Sequence, residues 1–445
     1  MRLRVWSPLP PSVSGIADYV AEALPGLAAH AALQVVVERA EAVDPALRQR
    51  YDVVSLETMA PADLDLYHVG NSPDHAYVYR RALLEPGVVV LHEWSLHHLV
   101  LHETLEKGDA AGYLREMRRA HGETGTFVGR QVARALGGDI LPALFPLNDR
   151  LLEASLAVVG LSAEVARGAA ARLPGRPVLH LPHHVALPGG PWPARSEARR
   201  ALGLPADAFV VTAPGLAQPN KGLEAAFRAA ARLRPALPTL VFVVAGAARE
   251  GYRPLEIAAA QGLSEGVVHT GRLSFPEFIR HLCAADVVLC LRFPSHGEMS
   301  GALLRALGVG RPALVTAGTT AALEFPEGVV IPIDPGPREE AEIAAFLAHL
   351  HAHPRTAEGI SRAARAHVAA HHDLAATTAR LAGFLEQVAA IAPEGRRRVA
   401  ADRTSEDGLA GYFREEIRWG ARDLGLVGLP LHLDALLHEL LAPRA

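Results

Sequence analysis

The 445-residue sequence predicts an α/β protein with two doubly wound domains that face a central cleft, followed by a C-terminal helical extension. Short β-branched runs alternate with Ala- and Leu-rich segments of helical period, a pattern typical of parallel sheets covered by helices. This alternation starts again near the middle of the chain. The length is also roughly three times the ~150 residues expected for one domain.

The predicted strands of the first half are Leu3–Ser7, Leu64–Val69, Val88–Leu91, Leu156–Gly160 and Val178–Leu181. Those of the second half are Phe209–Thr212, Leu240–Ala245, Val267–Thr270, Val287–Leu291, Ala313–Val315 and Val329–Ile333. Between the halves lies Leu-Pro-Gly-Gly-Pro-Trp-Pro, which cannot continue a helix or a central strand. We therefore predict domains at 1–185 and 206–373, joined by a linker at 186–205.

A helical pattern at 374–395 follows the second domain and is expected to pack back toward the first. Residues 392–407 are polar, and 408–445 regain a helical leucine pattern. We therefore predict a helical tail at 396–445 with two short helices. The leucine stripe could dock on the body, form a homo-oligomer or lie on a membrane surface. Docking is the commonest outcome for such a stripe.

Composition and charge argue against several classes of protein. Half of the residues are hydrophobic and 21% are charged, which excludes a mainly disordered or collagen-like chain. The formal net charge is −4, and no run of like charges is long enough to follow a phosphate backbone. A dedicated nucleic-acid-binding protein is therefore not expected.

Cysteine use and hydropathy predict the compartment. Cys283 and Cys290 cannot form a disulfide framework in a chain of this size, which fits a reducing cytoplasm. The N-terminal apolar run is too short for a signal peptide, and no run reaches the ~18 residues of a membrane span. We expect a cytoplasmic protein, either soluble or peripheral at the inner membrane face.

Open parallel sheets bind ligands at the carboxyl ends of their strands, so the loops there are candidate sites. In the first such loop a helix begins after Gly15, and its free N–H groups would attract an anion. The alternative is a simple turn capped by Ser14. Because the loop has one critical glycine and no G-x-G-x-x-G, a nicotinamide dinucleotide site is disfavoured.

The loop after the first strand of the second half contains Asn220 and Lys221. Asn220 is predicted to cap the next helix, which places Lys221 in its first turn. The helix dipole disfavours a cation there unless an anion lies nearby, and a phosphate would resolve the conflict. The alternative is a solvated lysine, although Lys221 is one of two lysines among 44 basic residues.

Glu298 follows another buried strand of the second half, beside the backbone N–H groups of Met299, Ser300 and Gly301. Its carboxylate could accept hydrogen bonds from sugar hydroxyls while these amides hold a phosphate. The alternative is an acidic residue that only complements the helix dipole.

His92 ends a first-half strand that must be central because it is apolar on both faces. The nearby histidines raise the question of a metal site. His92-Glu93 and His97 do not have the spacing of an H-E-x-x-H zinc helix. His98 and His102 have the i, i+4 spacing of a metal pair, but 22 histidines make such pairs common by chance, so no metal is expected.

Three motifs now carry a resemblance to a known family: Ser14-Gly15-Ile16-Ala17-Asp18-Tyr19, Pro219-Asn220-Lys221-Gly222 and Gly297-Glu298-Met299-Ser300-Gly301. In this order they resemble the GT-B retaining glycosyltransferases of family 4, over residues 1–390. Residues 67–75 and 86–98 look like a bacterial subgroup. The resemblance implies two Rossmann-like domains, a nucleotide-sugar donor bound mostly by the second, and a glycan or lipid-linked acceptor bound mostly by the first. It implies neither a metal nor a cofactor.

The resemblance also implies roles for individual residues. Gly15 would approach the donor diphosphate, Lys221 would bind phosphate, and Glu298 would hold donor sugar hydroxyls. His92 would lie near the reacting carbon. Further donor contacts are expected from Met299, Ser300, Gly301 and Arg272. Acceptor contacts are expected from Asp18, Asn71, His75 and His97.

Two positions depart from the family pattern. Gly215 replaces the usual basic residue six positions before the lysine. This halves the side-chain charge available to the phosphates, unless Arg272 or Arg292 supplies it. Ala306 replaces the second carboxylate, expected eight residues after Glu298. We expect a retaining, metal-independent hexosyltransferase of polysaccharide biosynthesis. The alternatives are a sugar-nucleotide epimerase or phosphorylase on the same fold, and a catalytically degenerate scaffold subunit.

Overall fold

The computed structural model describes residues 1–12, 14–187 and 192–404, together with 411, 413–414, 416–417 and 420. These residues form two compact units. Unit 1 contains Met1–Gly160, Val165–His180 and the described residues from Arg380 onward. Unit 2 contains Leu161–Glu164 and Leu181–Ala379, apart from 188–191.

Unit 1 is built on a sheet of seven parallel strands. Its strands are β1 Arg2–Trp6, β2 Ala32–Val36, β3 Asp52–Val54, β4 Leu64–Val69, β5 Val88–Leu91, β6 Ala157–Gly160 and β7 Val178–His180. They lie in the order β3-β2-β1-β4-β5-β6-β7, so the direction of winding reverses between β1 and β4. β4 and β5 are buried along their whole length, as expected for central strands covered on both faces.

The helices of the first half are α1 Gly15–Ala28, α2 Pro45–Arg50, α3 Ala76–Leu84, α4 His97–Glu103, α5 Ala110–Val132, α6 Leu141–Leu144, α7 Asp149–Ala154 and α8 Ala163–Arg172. The core that they form with the sheet includes Trp6 and Tyr67, whose ring centroids are 5.6 Å apart. Burial of the apolar side chains of this core is the main stabilising contribution in this unit.

Unit 2 is built on a sheet of six parallel strands. Its strands are β8 Phe209–Pro214, β9 Leu240–Ala245, β10 Val267–His269, β11 Val287–Cys290, β12 Ala313–Thr316 and β13 Ile331–Ile333. They lie in the order β10-β9-β8-β11-β12-β13, so the winding reverses between β8 and β11. Such a reversal opens a crevice at the carboxyl ends of the two strands.

The helices of unit 2 are α9 Arg195–Ala201, α10 Leu223–Leu233, α11 Pro254–Ala260, α12 Phe275–Ala284, α13 Gly301–Gly308, α14 Thr320–Leu323, α15 Glu339–Ala352 and α16 Pro354–His371. Phe227 of α10 packs edge-on against Phe242 of β9, with ring centroids 4.9 Å apart. α9 lies inside the predicted linker, where the sequence analysis expected no helix. It forms because Ala198 is buried and Arg199 is ion-paired with Asp286.

A last helix, α17 Leu374–Thr404, is longer than the predicted 374–395. The polar segment after residue 391 stays helical because its arginines bind backbone carbonyls of unit 1. Arg396 donates to Asp63 O at 3.1 Å, and Arg403 donates to Leu83 O at 2.6 Å. The two short helices predicted within 408–445 lie almost wholly outside the described residues.

The predicted fold class is confirmed, and each predicted strand corresponds to an observed one. Strands β2 and β3 were not predicted. None of the helices in the described part of the chain is both long and apolar enough to cross a membrane.

Candidate active site

The loops that follow β8 and β11 meet at the point where the sheet of unit 2 reverses its winding. Their backbones are joined directly: Phe293 N donates to Asn220 O at 2.9 Å. The preceding residue, Arg292, donates its backbone N–H to Thr316 Oγ1 at 2.8 Å. These two hydrogen bonds fix the start of the β11 loop against the β8 loop and the end of β12. Lys221 and Glu298 therefore belong to one continuous surface of unit 2.

Lys221 lies in a one-turn 3₁₀ helix, Pro219–Lys221, and not in the first turn of an α-helix as predicted. Asn220 does not cap α10, because its side-chain oxygen accepts a hydrogen bond from Gln218 Nε2 at 2.9 Å. Gly222 occupies the cap position with φ of 62°, in the left-handed region that favours glycine. Lys221 therefore lies just before α10 and not within its first turn.

Lys221 has an unusual electrostatic environment. Its side chain is half-buried, and burial together with the nearby Arg292 guanidinium lowers the pKa of Lys221 to about 7. The carboxylate of Glu298 opposes this shift, which shows that the two groups interact electrostatically. An anion bound beside Lys221 would raise its pKa and favour the charged form.

Glu298 is only 8% exposed, and both of its carboxylate oxygens have partners. Oε1 is 2.6 Å from Nη1 of Arg292, and Oε2 accepts from His296 N at 2.6 Å and Ser295 Oγ at 3.2 Å. Burial by itself would raise the pKa of Glu298, but Arg292 and the backbone N–H groups outweigh it, and the net shift is downward. The carboxylate is therefore ionised at neutral pH and held in a fixed orientation.

The residues after Glu298 begin α13. Ser300 caps this helix, and its hydroxyl accepts from Leu303 N at 3.3 Å. The first backbone N–H groups of a helix have no partner within it, so those at Gly301 can bind an anion. The Met299 side chain is buried in the core, which leaves its backbone as the part able to contact a ligand.

The two departures from the family pattern have distinct structural settings. Gly215 has φ of +93°, a conformation that side-chain-bearing residues rarely adopt. Ala306 is fully buried in the core of unit 2. Of the two arginines that could substitute for the missing cation, Arg292 is paired with Glu298, whereas Arg272 is exposed after the edge strand β10.

In unit 1, His92 directly follows β5 and is 7% exposed. Its Nε2 shares a hydrogen bond of 3.0 Å with Nδ1 of His68, a residue of β4. The ring of Tyr19 from α1 packs edge-on against His92, with centroids 4.9 Å apart. Sequence analysis did not select His68. The available signal was a histidine near the end of a strand that is otherwise suited to burial.

His68 and His75 are buried and uncharged. Burial lowers the pKa of His68 to about 3 and that of His75 to about 4. His75 Nδ1 donates to His68 O at 3.0 Å, which leaves His75 Nε2 as an acceptor. Neither His68 Nε2 nor His75 Nε2 has a hydrogen-bond partner within the described structure. His75, predicted as an acceptor contact, thus contacts the backbone of His68, whose ring is hydrogen-bonded to His92.

The other residues predicted in unit 1 have different surroundings. Asn71 holds the start of α4, because its side-chain oxygen accepts from Leu99 N at 3.1 Å. Both ring nitrogens of His97 have internal partners, namely Phe145 O at 2.6 Å and Tyr113 Oη at 2.9 Å.

Two further predicted residues lie on α1. Gly15 and Asp18 are exposed, and a Cβ at Gly15 would meet nothing within 4 Å. No group of three or more potential metal ligands from His, Cys, Asp and Glu comes together in the part of the chain that the structure describes.

Two doubly wound units of this kind define the GT-B class of proteins. The Anabaena protein HepE, solved in complex with UDP-glucose, superposes with a TM-score of 0.60 at 17% identity, covering 87% of this chain and 100% of HepE. Sucrose-phosphate synthase from Thermosynechococcus elongatus has a TM-score of 0.62 at 15% identity, covering 88% and 100%. UDP-GlcNAc 2-epimerase from Neisseria meningitidis has a TM-score of 0.52 at 12% identity, covering 87% and 100%.

The sequence comparisons are narrower. Residues 208–352 match the family described as glycosyl transferases group 1. D-inositol 3-phosphate glycosyltransferase from Actinosynnema mirum is 30% identical over 239 residues, which are 50% of each chain. The Thermobispora bispora enzyme of the same name is 34% identical over 218 residues, 45% of this chain and 49% of that one. The chain thus matches about half the length of these relatives. The fold of its two units is therefore the GT-B fold, and residues 208–352 are similar to the group 1 glycosyl transferases.

Proposed function

We propose that the protein is a glycosyltransferase that moves a hexose-type sugar from a nucleotide-sugar donor to a hydroxyl acceptor, with retention at the anomeric carbon and without a metal. The observation that carries this proposal is the closeness of Lys221 to the Arg292–Glu298 ion pair, on adjoining loops where the winding of unit 2 reverses. Such a site combines cations for phosphate with a fixed carboxylate for sugar hydroxyls.

In the proposed reaction the bond between the anomeric carbon and the donor phosphate breaks while a bond to the acceptor oxygen forms. The leaving phosphate gathers negative charge and takes the proton of the acceptor hydroxyl on the same face of the sugar. No side chain is then required as a base. The main task of the protein is to stabilise the departing diphosphate, and Lys221 with the free N–H groups of α13 supplies that stabilisation.

Two further observations support a nucleotide-sugar donor and a hydroxyl acceptor. HepE, a structural neighbour, is solved with UDP-glucose, which is consistent with a nucleotide sugar at the same kind of fold. The curated relatives are named for transfer to inositol 3-phosphate, a polyol phosphate, and the acceptor proposed for this chain is a glycan or glycolipid intermediate. In unit 1, His92 would orient the hydroxyl or the donor sugar.

The test is a product analysis with a panel of UDP-, GDP- and ADP-sugars, each with and without candidate acceptors. We expect release of the nucleoside diphosphate that depends on an acceptor, and a product whose anomeric proton coupling matches the donor configuration. Inversion would contradict the proposed stereochemistry.

The same assay separates the alternatives. The epimerase of Neisseria meningitidis has the same fold, so conversion of the donor sugar without any acceptor would favour an epimerase. Calorimetric titration that gives no heat with any sugar nucleotide would favour a scaffold.

A Glu298→Gln variant tests the sugar contact. A carboxylate binds hydroxyl donors more strongly than an amide, so affinity for UDP-glucose should fall toward that for UDP while UDP affinity stays within about twofold. Glu256→Gln is the matched control, because Glu256 is an exposed acid of unit 2 paired with Arg253 at 2.8 Å. Unchanged discrimination between UDP-glucose and UDP would remove Glu298 from the proposal.

A further inference from the structure

The β8 loop presents Lys221 to the proposed donor site, but Gly215 cannot add a second positive charge. A diphosphate group carries at least two negative charges, and the single charge of one lysine compensates them only in part. Because φ of Gly215 is +93°, the backbone there is also unsuited to an arginine or lysine side chain. The remaining charge must come from another element.

We propose that Arg292 is the second phosphate-binding cation of this site, placed beside Lys221 by the backbone contacts of its loop and able to bind phosphate while it remains paired with Glu298. The inference rests on the proposed function and adds a residue to it. Arg292 of the β11 loop would supply the positive charge that is missing at Gly215 of the β8 loop.

The backbone position of Arg292 supports this role. Its own N–H is bound to Thr316 Oγ1 at 2.8 Å, and the next residue binds the carbonyl of Asn220 at 2.9 Å. Asn220 directly precedes Lys221. The root of the Arg292 side chain is therefore fixed beside the lysine, as pre-organised binding requires.

The side chain of Arg292 also retains unused capacity. Its Nη1 lies 2.6 Å from Glu298 Oε1, and the guanidinium side chain is 24% exposed. A guanidinium has five N–H donors in a planar fork, and it binds phosphate oxygens in pairs. The ion pair with Glu298 can therefore persist while other N–H groups reach a ligand.

The charges around the site favour an anion. Lys221 and Arg292 lie near the carboxylate of Glu298, the buried thiol of Cys290 and the half-buried His296. Oε1 of Glu339 also lies 3.5 Å from the position that a Cβ would take at Gly222, the residue after Lys221. Arg292 lowers the pKa of Lys221 because the two cations repel each other. A diphosphate between them would relieve this repulsion, and Lys221 would then take up a proton.

The rival interpretation is that Arg292 only positions Glu298. The two roles predict different losses of binding affinity. A phosphate-binding arginine contributes to the binding of diphosphate in any form, whereas a residue that only orients Glu298 affects the sugar.

The experiment is calorimetric titration of inorganic pyrophosphate, UDP, GDP, ADP and UDP-glucose into the full chain and four variants, Arg292→Gln, Arg292→Lys, Arg253→Gln and Glu298→Gln. We expect Arg292→Gln to weaken pyrophosphate and UDP at least about tenfold, and Arg292→Lys to recover part of the loss without the paired geometry. Arg253→Gln, which removes an exposed arginine of the same unit, should change neither affinity. Thermal melts establish that each variant is folded.

The outcomes separate the two proposals. If Arg292→Gln keeps its pyrophosphate and UDP affinity and loses only the preference for UDP-glucose, Arg292 is a positioning residue and the inference is overturned. If the unmodified chain binds neither pyrophosphate nor UDP, GDP or ADP, the proposed donor site fails as well. Glu298→Gln gives a second readout, because freeing Arg292 should leave pyrophosphate affinity equal or higher. A large loss there would contradict the inference even if Arg292→Gln did not fold.

Discussion

The two sheets reverse their winding in the same way, but the side chains at the carboxyl ends of their strands differ in charge. In unit 1 this region contains His68 and His92, which share a hydrogen bond in a buried cluster. In unit 2 it contains Lys221 beside the ion pair of Arg292 and Glu298. The difference shows that a doubly wound sheet supplies the location of a site, while the side chains at the strand ends decide which ligand suits it.

Burial acts differently on the two groups of side chains. A buried histidine avoids the cost of desolvation by losing its proton, so the unit 1 cluster offers neutral hydrogen-bonding atoms, which suit hydroxyl groups. The carboxylate of Glu298 stays charged because a guanidinium lies 2.6 Å away. Because Lys221 and Arg292 together outnumber this carboxylate, the unit 2 site suits phosphate.

The largest effect that separates the two regions should come from Lys221→Met. Removing a cation that stabilises a leaving diphosphate is expected to slow turnover by ~10²–10³, as for other groups aimed at developing charge. His92→Gln keeps a neutral hydrogen-bonding group and should cost about tenfold or less. Steady-state measurement of kcat and kcat/KM for both variants checks this. Equal losses in the two variants would mean that charge does not distinguish the regions.

A second difference is the response of unit 1 to acid. The pKa values of His68 and His75 are lowered in the folded state to about 3 and about 4, so their stabilising contribution is complete above the unfolded pKa near 6.5. It is lost as the pH falls below 6.5. When the pH is lowered from 7 to 5, the free energy of unfolding should fall by about 2 kcal/mol for each of these two histidines.

Denaturant unfolding of His75→Gln at several pH values checks the acid response. Because the variant lacks one buried titrating ring, its loss of stability between pH 7 and pH 5 should be smaller by about 2 kcal/mol. His30→Gln, at an exposed position of the same unit, should keep the original pH dependence. A His75→Gln variant that is as acid-sensitive as the unmodified chain would show that His75 is already solvated.

The sequence predicted the central strands well because burial on both faces leaves a continuous apolar run, as in Val88–Leu91. It missed β2 and β3, since Ala32–Val36 is only partly buried and Asp52–Val54 has three residues at the sheet edge. Such strands are defined by their neighbours and not by their own pattern. Helix α9, Arg195–Ala201, was missed for the same reason, because a distant ion pair with Asp286 stabilises it.

The candidate site was predictable to a similar degree. Lys221 and Glu298 were selected because each follows a recognisable strand, and strand ends converge in a parallel sheet. The pairing of Arg292 with Glu298 depends on the path of the β11 loop, and the contact between His68 and His92 depends on strand order. Neither has a local sequence signal. Sequence alone therefore identified the positions but not the partners that set their charge.

The smallest expected effects are changes in stability from substituting one glycine in each unit, Gly215 and Gly15. Gly215→Ala should reduce the free energy of unfolding by about 1–2 kcal/mol, because φ of +93° strains any residue with a Cβ although the space there is open. Gly15→Ala should change stability by no more than about 0.5 kcal/mol, since Gly15 is exposed and lacks a positive φ. If Gly15 approaches the donor diphosphate, Gly15→Ala should still weaken UDP binding. Denaturant unfolding and UDP titration of both variants test these expectations. An unchanged UDP affinity in Gly15→Ala would mean that the start of α1 does not contact the diphosphate. Lys221 and Arg292 of unit 2 would then bind it without help from Gly15.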